Sequence, residues 1–278
     1  MHFEMKRVLF LCDRPLGLRC LDFVFKQRIP LCGVVSRPDG EENWWGRSAF
    51  QAYCLRNGLP WYHPAIPLRP VVKETKPDVL LSVLFPRVVE EAILSRIEGF
   101  NLHCAPLPQY KGFNSTLWAI LNGEKTFGAT LHRMARQPDE GEIVAQRTFH
   151  IPDHATNLVL YQMAHEEGYR LFCENLIPLL EGTHRVTPQV GKGRFYGKDE
   201  IPSREMDLRW PAEKIAAYAR AFYFPPFEPA YFVLNGVKMH LIPAPEPFGW
   251  ANFSASPAVG RKKDTYRLGI KASREEGR

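Results

Sequence analysis

Short apolar runs alternate with stretches of helical character through the first hundred residues, and this alternation constrains the fold more than any other feature. Arg7 to Cys12 (RVLFLC), Leu31 to Ser36 (LCGVVS), Leu59 to Tyr62 and Val79 to Leu84 (VLLSVL) read as strands. Leu16 to Arg28, Trp45 to Asn57 (closed by Gly58) and Pro67 to Thr75 read as the helices between them. Val79 to Leu84 is nearly all apolar, as a strand covered on both faces must be. Such a β-α-β series predicts an α/β chain with a Rossmann-like, doubly wound, mostly parallel sheet. Ligands of these sheets collect outside the carboxyl ends of the strands, where Leu84-Phe85-Pro86-Arg87 and His103 fall. The first strand-to-helix turn reads CDRPLGL rather than GxGxxG, which disfavours a glycine-rich dinucleotide site.

The run from Phe100 to Arg147 carries the chemistry. Phe100 to Cys104 reads as a buried strand on which Asn101 and His103 share one face, with Leu102 and Cys104 on the other. Pro106 and Pro108 stop it, and Tyr110-Lys111-Gly112 reads as a tight turn. Asn114 to Asn122 reads as a short helix, capped by Asn114 or Ser115 and ended by Gly123. Phe127 to Met134 and Glu142 to Phe149 read as strands, with Pro138-Asp139-Glu140-Gly141 as the loop between them. An Asn amide can donate to a developing oxyanion without risk of titration. A His can move a proton near neutral pH, and an Asp beside it holds the ring and favours its charged form. Asn101, His103 and Asp139, with no well-placed Ser or Cys, therefore suit acyl transfer by direct attack of an external nucleophile. Cys104 is set aside as a nucleophile because strand alternation turns it away from His103.

These residues form a pattern. Asn101-Leu102-His103, then Leu107-Pro108-Gln109-Tyr110-Lys111-Gly112, then Asp139-Glu140-Gly141-Glu142-Ile143, with 36 residues from His103 to Asp139, resemble the 10-formyltetrahydrofolate-dependent formyltransferases. Gly112-Phe113-Asn114-Ser115, Trp118 to Glu124 and Phe222-Tyr223-Phe224-Pro225-Pro226-Phe227 are most similar to the sugar N-formyltransferases, which act on nucleotide-linked amino sugars. Cys104-Ala105-Pro106 departs from the family pattern and leaves the trio intact. The resemblance covers roughly residues 5–245. It implies the formyltransferase fold, 10-formyltetrahydrofolate as co-substrate, no metal, and a role in lipopolysaccharide O-antigen biosynthesis. It implies Asn101, His103 and Asp139 as catalytic residues. It places Phe85, Arg87, Val89 and Gln137 around the folate, and Lys111, Asn114, Tyr196 and Tyr223 on the substrate. Read without the family, Val88, Val89 and Ile93 would simply pack a helix on the sheet, and Lys111 and Tyr196 would be loop residues.

Thr156 to Glu181 reads as a long amphipathic helix with a stripe of Leu160, Met163, Ala164, Leu171, Phe172, Leu176 and Leu179. His165-Glu166-Glu167 begins like HExxH, but Tyr169 stands at the second His position, so His165 is expected on a solvated face. Gly182 to Ser203, rich in Gly, Pro and basic residues, reads as a linker. Pro211 to Phe222 reads as a helix, and Ala230 to Leu234 with Val237 to Ile242 as a hairpin around Asn235-Gly236. The expected organisation is a catalytic domain at 1–185, a linker at 186–210, a small helix-and-hairpin region at 211–245 and an irregular, flexible basic tail at 246–278.

Apolar content of 45% and charged content of 24% are those of an ordinary soluble domain. No apolar run is long enough to span a membrane, and MHFEMKRVLFLCDRP lacks a signal-peptide pattern. The six cysteines show no CxxC pair, which fits a reduced cytoplasmic setting. Residues 261–278 supply a surplus of four positive charges out of a net +6. The body is therefore near neutral, and neither nucleic acid nor membrane is expected as a partner. The expected partners are a nucleotide-linked amino sugar, the folate and a second copy in a homodimer. Two alternatives stand: a methionyl-tRNA formyltransferase, whose hairpin form AYFxLNG matches Ala230 to Gly236, and a catalytically silent nucleotide-binding protein.

Overall fold

The computed structural model describes residues 5–40, 42–243 and 272–273. The chain divides into two compact units. The first comprises Met1–Thr116, Lys125–Ile151 and Leu160–Ile201; the second comprises Leu117–Glu124, Pro152–Val159 and Pro202–Arg278. In chain order the elements are β1 (Val8–Cys12), α1 (Arg14–Lys26), β2 (Leu31–Val35), β3 (Glu42–Asn43), β4 (Gly46–Arg47), α2 (Phe50–Arg56), β5 (Trp61–Tyr62), α3 (Leu68–Thr75), β6 (Val79–Val83), α4 (Glu91–Leu94) and β7 (Glu98–His103). There follow β8 (Tyr110–Gly112), α5 (Ser115–Leu121), β9 (Thr126–Arg133), β10 (Ile143–His150), α6 (Asn157–Glu181), β11 (Arg194–Tyr196), α7 (Ala212–Phe222), β12 (Tyr231–Leu234), β13 (Val237–His240) and β14 (Ala272–Ser273).

The first unit is built on a seven-stranded sheet of order β10-β9-β7-β6-β1-β2-β5. The pairings from β7 through β6, β1 and β2 to β5 are parallel; β9 runs antiparallel to both β7 and β10. Period-two alternation divides the apolar residues between two layers. Val8, Phe10, Cys12, Val79, Leu81, Val83, Phe100 and Leu102 join one core with residues of α1, α2 and α6, where Phe10 meets Phe172 edge to face. Leu9, Leu11 and Leu80 join a second core on the other face with Leu68 and Val71 of α3 and Ile93 of α4. Asn101 and His103, alternating with Phe100 and Leu102, belong to the α3 and α4 face. The doubly wound reading is what the structure has.

Several local expectations change. The helix expected from Trp45 begins only at Phe50, because Trp44 and Trp45 form the turn of the β3–β4 hairpin. There the Arg14 guanidinium lies 5.4 and 5.2 Å from the two indole rings, a cation–π arrangement that favours the hairpin. Tyr110-Lys111-Gly112 is not a tight turn but strand β8, paired in parallel with β11 from the stretch read as a linker. His165 is not on a solvated face. Its ring lies 3.7 Å from that of Tyr161, and burial, then the nearby Arg14 charge, push its pKa down to about 3. Val88 is 61% exposed and packs no helix, whereas Val89 and Ile93 do enter the core.

In the second unit, α7 follows Pro211, whose fixed φ and missing N–H suit a helix start. Asn235 and Gly236 join β12 to β13 with φ of 49° and 79°, the left-handed pair that a two-residue hairpin turn requires. β14 pairs with β13. The expected flexible tail at 246–278 lies outside the described residues except for β14. Among the described residues no helix is long and apolar enough to cross a membrane.

Candidate active site

Sheet register builds the site before any loop contributes. Ser82 of β6 pairs with Asn101 of β7, and Asn101 pairs with His132 of β9. Directly paired residues share a face, so a hydroxyl, an amide and an imidazole stand in one row across three strands. They are hydrogen-bonded in sequence. Ser82 Oγ lies 2.8 Å from Asn101 Oδ1, Asn101 Nδ2 lies 3.2 Å from His132 Nε2, and His132 Nδ1 lies 2.7 Å from the carbonyl oxygen of Arg133. One row further, His103 pairs with Thr130. The Thr130 hydroxyl donates to the Ala105 carbonyl and accepts from the Leu107 N–H, which holds the chain as it leaves β7.

His103 Nε2–H donates to the Tyr110 carbonyl at 2.7 Å, the only direction a carbonyl permits. This leaves Nδ1 facing Asp139, whose Oδ1 is 3.7 Å away. The same oxygen is 3.5 Å from His132 Nε2, and Oδ2 accepts the Gly112 N–H at 2.9 Å. Asp139 is thus shared by two imidazoles and a backbone donor. Burial alone would raise its pKa. The charge of a protonated His103 and the Gly112 N–H outweigh that and hold the carboxyl well below the ordinary carboxylate range.

The Asp139 loop is held from three sides. Asp139 itself adopts a left-handed φ of 58°, a conformation Asp tolerates better than most side chains. Gln189 Nε2 donates to the carbonyls of both Asp139 and Gly141, at 2.8 and 2.7 Å. Gly141 lies so close to Arg133 that an added Cβ would stand 1.9 Å from its carbonyl oxygen. The Arg133 guanidinium bonds Glu98 and Glu142, which ties β7 to the residue after the loop.

The other expected site residues divide as follows. Lys111 is buried and pairs with Glu140 at 2.7 Å, so it is not a solvated turn residue. Tyr196 is 4% exposed and stacks on Tyr110 with ring centroids 5.5 Å apart, so it is not a loose loop residue. Asn114 is exposed, just before α5, at a left-handed φ of 54°. The Val89 side chain is in the α3 and α4 core with Phe85 against it. The Arg87 guanidinium donates to the carbonyls of Pro64 and Ile66. Arg87 also lines a cavity of about 200 Å³ with Arg37, His63 and Pro86. Gln137 is exposed in the Asp139 loop. Tyr223 belongs to the second unit, where its carbonyl accepts from Leu158 N–H. Among the described residues no cluster of three or more His, Cys, Asp or Glu could hold a metal.

Three residues of this polar site escaped the sequence reading. Ser82 and His132 sit in runs that look like plain strands, and only the pairing register puts them beside Asn101. Gln189 lies in a segment with no periodicity.

The fold and this polar row define the class: an α/β domain whose site joins an amide, imidazoles and a carboxylate at the carboxyl ends of its parallel strands. A model of the formyl transferase family matches residues 67–176, which include Ser82, Asn101, His103, His132 and Asp139. The chain is 29% identical over 170 residues to the GDP-perosamine N-formyltransferase of Brucella melitensis, covering 60% of this chain and 65% of that protein. It is 27% identical over 270 residues to the methionyl-tRNA formyltransferase of Lactobacillus johnsonii, covering 93% of this chain and 85% of that one. Its fold is similar to the N-formyltransferase of Helicobacter canadensis, solved with folinic acid and dTDP-3-aminofucose, at a TM-score of 0.71 and 22% identity over 84% of this chain and 86% of that one.

Proposed function

We propose that this chain is an N-formyltransferase that moves a formyl group from 10-formyltetrahydrofolate to the primary amine of a nucleotide-linked amino sugar. The observation that carries the reading is the convergence of Asp139 on His103 and, through His132, on Asn101. In this reading the neutral amine attacks the formyl carbon, and a C–N bond forms as the carbonyl electrons move onto oxygen. Asn101 donates to that oxyanion, and protonated His103 supplies positive charge beside it. Asp139, paired with His103, receives the amine proton directly or through water. Collapse breaks the bond to the folate nitrogen, which takes a proton, and leaves a formamide and tetrahydrofolate. Phe85, Arg87, the Val89 backbone and Gln137 border the folate; Lys111, Asn114 and Tyr196 hold the substrate. A cytoplasmic location and a homodimer belong to the same reading.

The test is formyl transfer measured with 10-formyltetrahydrofolate against a panel of GDP-, dTDP- and UDP-linked amino sugars. Turnover of one of them, lost in His103→Asn and Asp139→Asn, is the expected result; absence of turnover with every amino sugar overturns it.

A second reading has its own support: the methionyl-tRNA formyltransferase relative aligns over nearly the whole chain. Charged initiator tRNA in the same assay separates the two, because an RNA substrate brings a steep salt dependence that a nucleotide sugar does not. The near-neutral body favours the sugar.

A further inference from the structure

We propose that His132 is a positioning residue that, as a neutral ring protonated at Nδ1, orients the Asn101 amide for catalysis, with Ser82 as the opposite clamp. The inference rests on the reading of Asn101 as oxyanion donor and deepens it. The direction of every bond in the row follows from one backbone carbonyl. The Arg133 oxygen cannot donate, so the 2.7 Å contact requires a proton on His132 Nδ1. In the neutral ring Nε2 is then an acceptor, so the 3.2 Å contact requires the Asn101 NH2, not its oxygen, on that side. The Asn101 oxygen must then face Ser82, whose hydroxyl donates to it at 2.8 Å. Oxygen and nitrogen of the amide are thus distinguished by the proton order of the row. One N–H of Asn101 is spent on His132, and the second is left to this geometry to aim.

His132 has a competing partner. Asp139 Oδ1 lies 3.5 Å from the same Nε2. A second proton on the ring would end its acceptance from Asn101 and turn Nε2–H toward the carboxylate, leaving the amide free to flip. The row therefore works only while His132 is neutral, and Asp139 stays the partner of His103. His132 is 2% exposed, and the backbone of Arg133 is held by its pairing with Phe100 and by its N–H bond to the Glu142 carbonyl, so the ring has little freedom to choose otherwise.

The experiment combines 15N NMR of the histidine rings at neutral pH with kinetics of His132→Leu, His132→Gln and Ser82→Ala. The expected tautomer of His132 carries its proton on Nδ1 and none on Nε2. His132→Leu should lower kcat about tenfold to a hundredfold with KM little changed, as expected when a catalytic group is misaimed rather than lost. His132→Gln, whose side-chain oxygen can accept from Asn101, should recover part of it, and Ser82→Ala should lose less than His132→Leu. A proton on His132 Nε2, or a kcat for His132→Leu within threefold of the parent, overturns the proposal. Should His132→Leu fail to fold, the tautomer and the Ser82→Ala and His132→Gln rates decide alone. Failure of formyl transfer itself shows in the unmodified protein, and the tautomer still decides the proton order of the row.

Discussion

Gln189 Nε2 donates to the backbone carbonyl of Asp139 at 2.8 Å across 50 residues of sequence, and its second hydrogen reaches Gly141. Two carbonyl acceptors leave no choice for the amide's orientation. Replacing Gln189 by Leu strands both oxygens, and we expect a loss of about 1–3 kcal/mol in denaturant unfolding. Formyl transfer should fall as well, because the left-handed Asp139 would be released from its mooring. Gln189→Glu should do worse than Leu in transfer, since a carboxylate repels both carbonyls.

Asp139 ties activity to acid stability. Its folded pKa lies below the unfolded value of 3.8, so its contribution is complete above that value and is lost as pH falls toward the folded pKa. Asp139→Asn should abolish most turnover, by roughly two to four orders of magnitude. It should also flatten the fall of unfolding free energy below about pH 4, where the parent loses up to ~1.4 kcal/mol per pH unit through this group. Urea titrations at several pH values measure the slope directly.

His165 acts in a higher window. Its pKa is about 3 when folded against 6.5 for the free side chain, so the unfolded chain binds the proton first. Stability from this site is whole above pH 6.5 and declines as pH falls toward 3, again by up to ~1.4 kcal/mol per pH unit. His165→Leu should remove this slope between pH 6 and 4 while leaving the Asp139 window unchanged. A slope identical to the parent's in that interval would show that the ring is solvated.

Gly141→Ala tests the packing of the Asp139 loop. The new methyl carbon would meet the Arg133 carbonyl oxygen, the same atom that receives His132 Nδ1–H. We expect a loss of about 1–3 kcal/mol in stability. Transfer activity should drop more than this loss explains, read as kcat at a temperature where the variant is fully folded.

The sequence revealed the layers and the trio, and it missed what depends on pairing. Val79 to Leu84 and the strand holding Asn101 were legible because period-two alternation and apolar runs are local signals. Asp139 was legible only through the motif that the chain shares with the formyltransferases, since a DEG loop read alone is a turn. His132 was not, because nothing in ATLHRM says that its neighbour across β7 is Asn101; only register does. β11 was invisible for a related reason: three residues among glycines and basic side chains become a strand only by pairing with β8. His165 was misplaced because the polar residues of α6 share one helix face in sequence, while Tyr161 and Arg14 cover one of them.

The parallel pairing of β11 with β8 decides where the first unit can be cut. A chain ended at residue 185 would lack Gln189, the β8 partner strand and the ring that stacks on Tyr110. The same 186–201 stretch, supplied as a separate peptide, has the register and the aromatic anchor to dock as an added strand. Split-protein complementation at that point would then be governed by a short, designable fragment rather than by a whole domain.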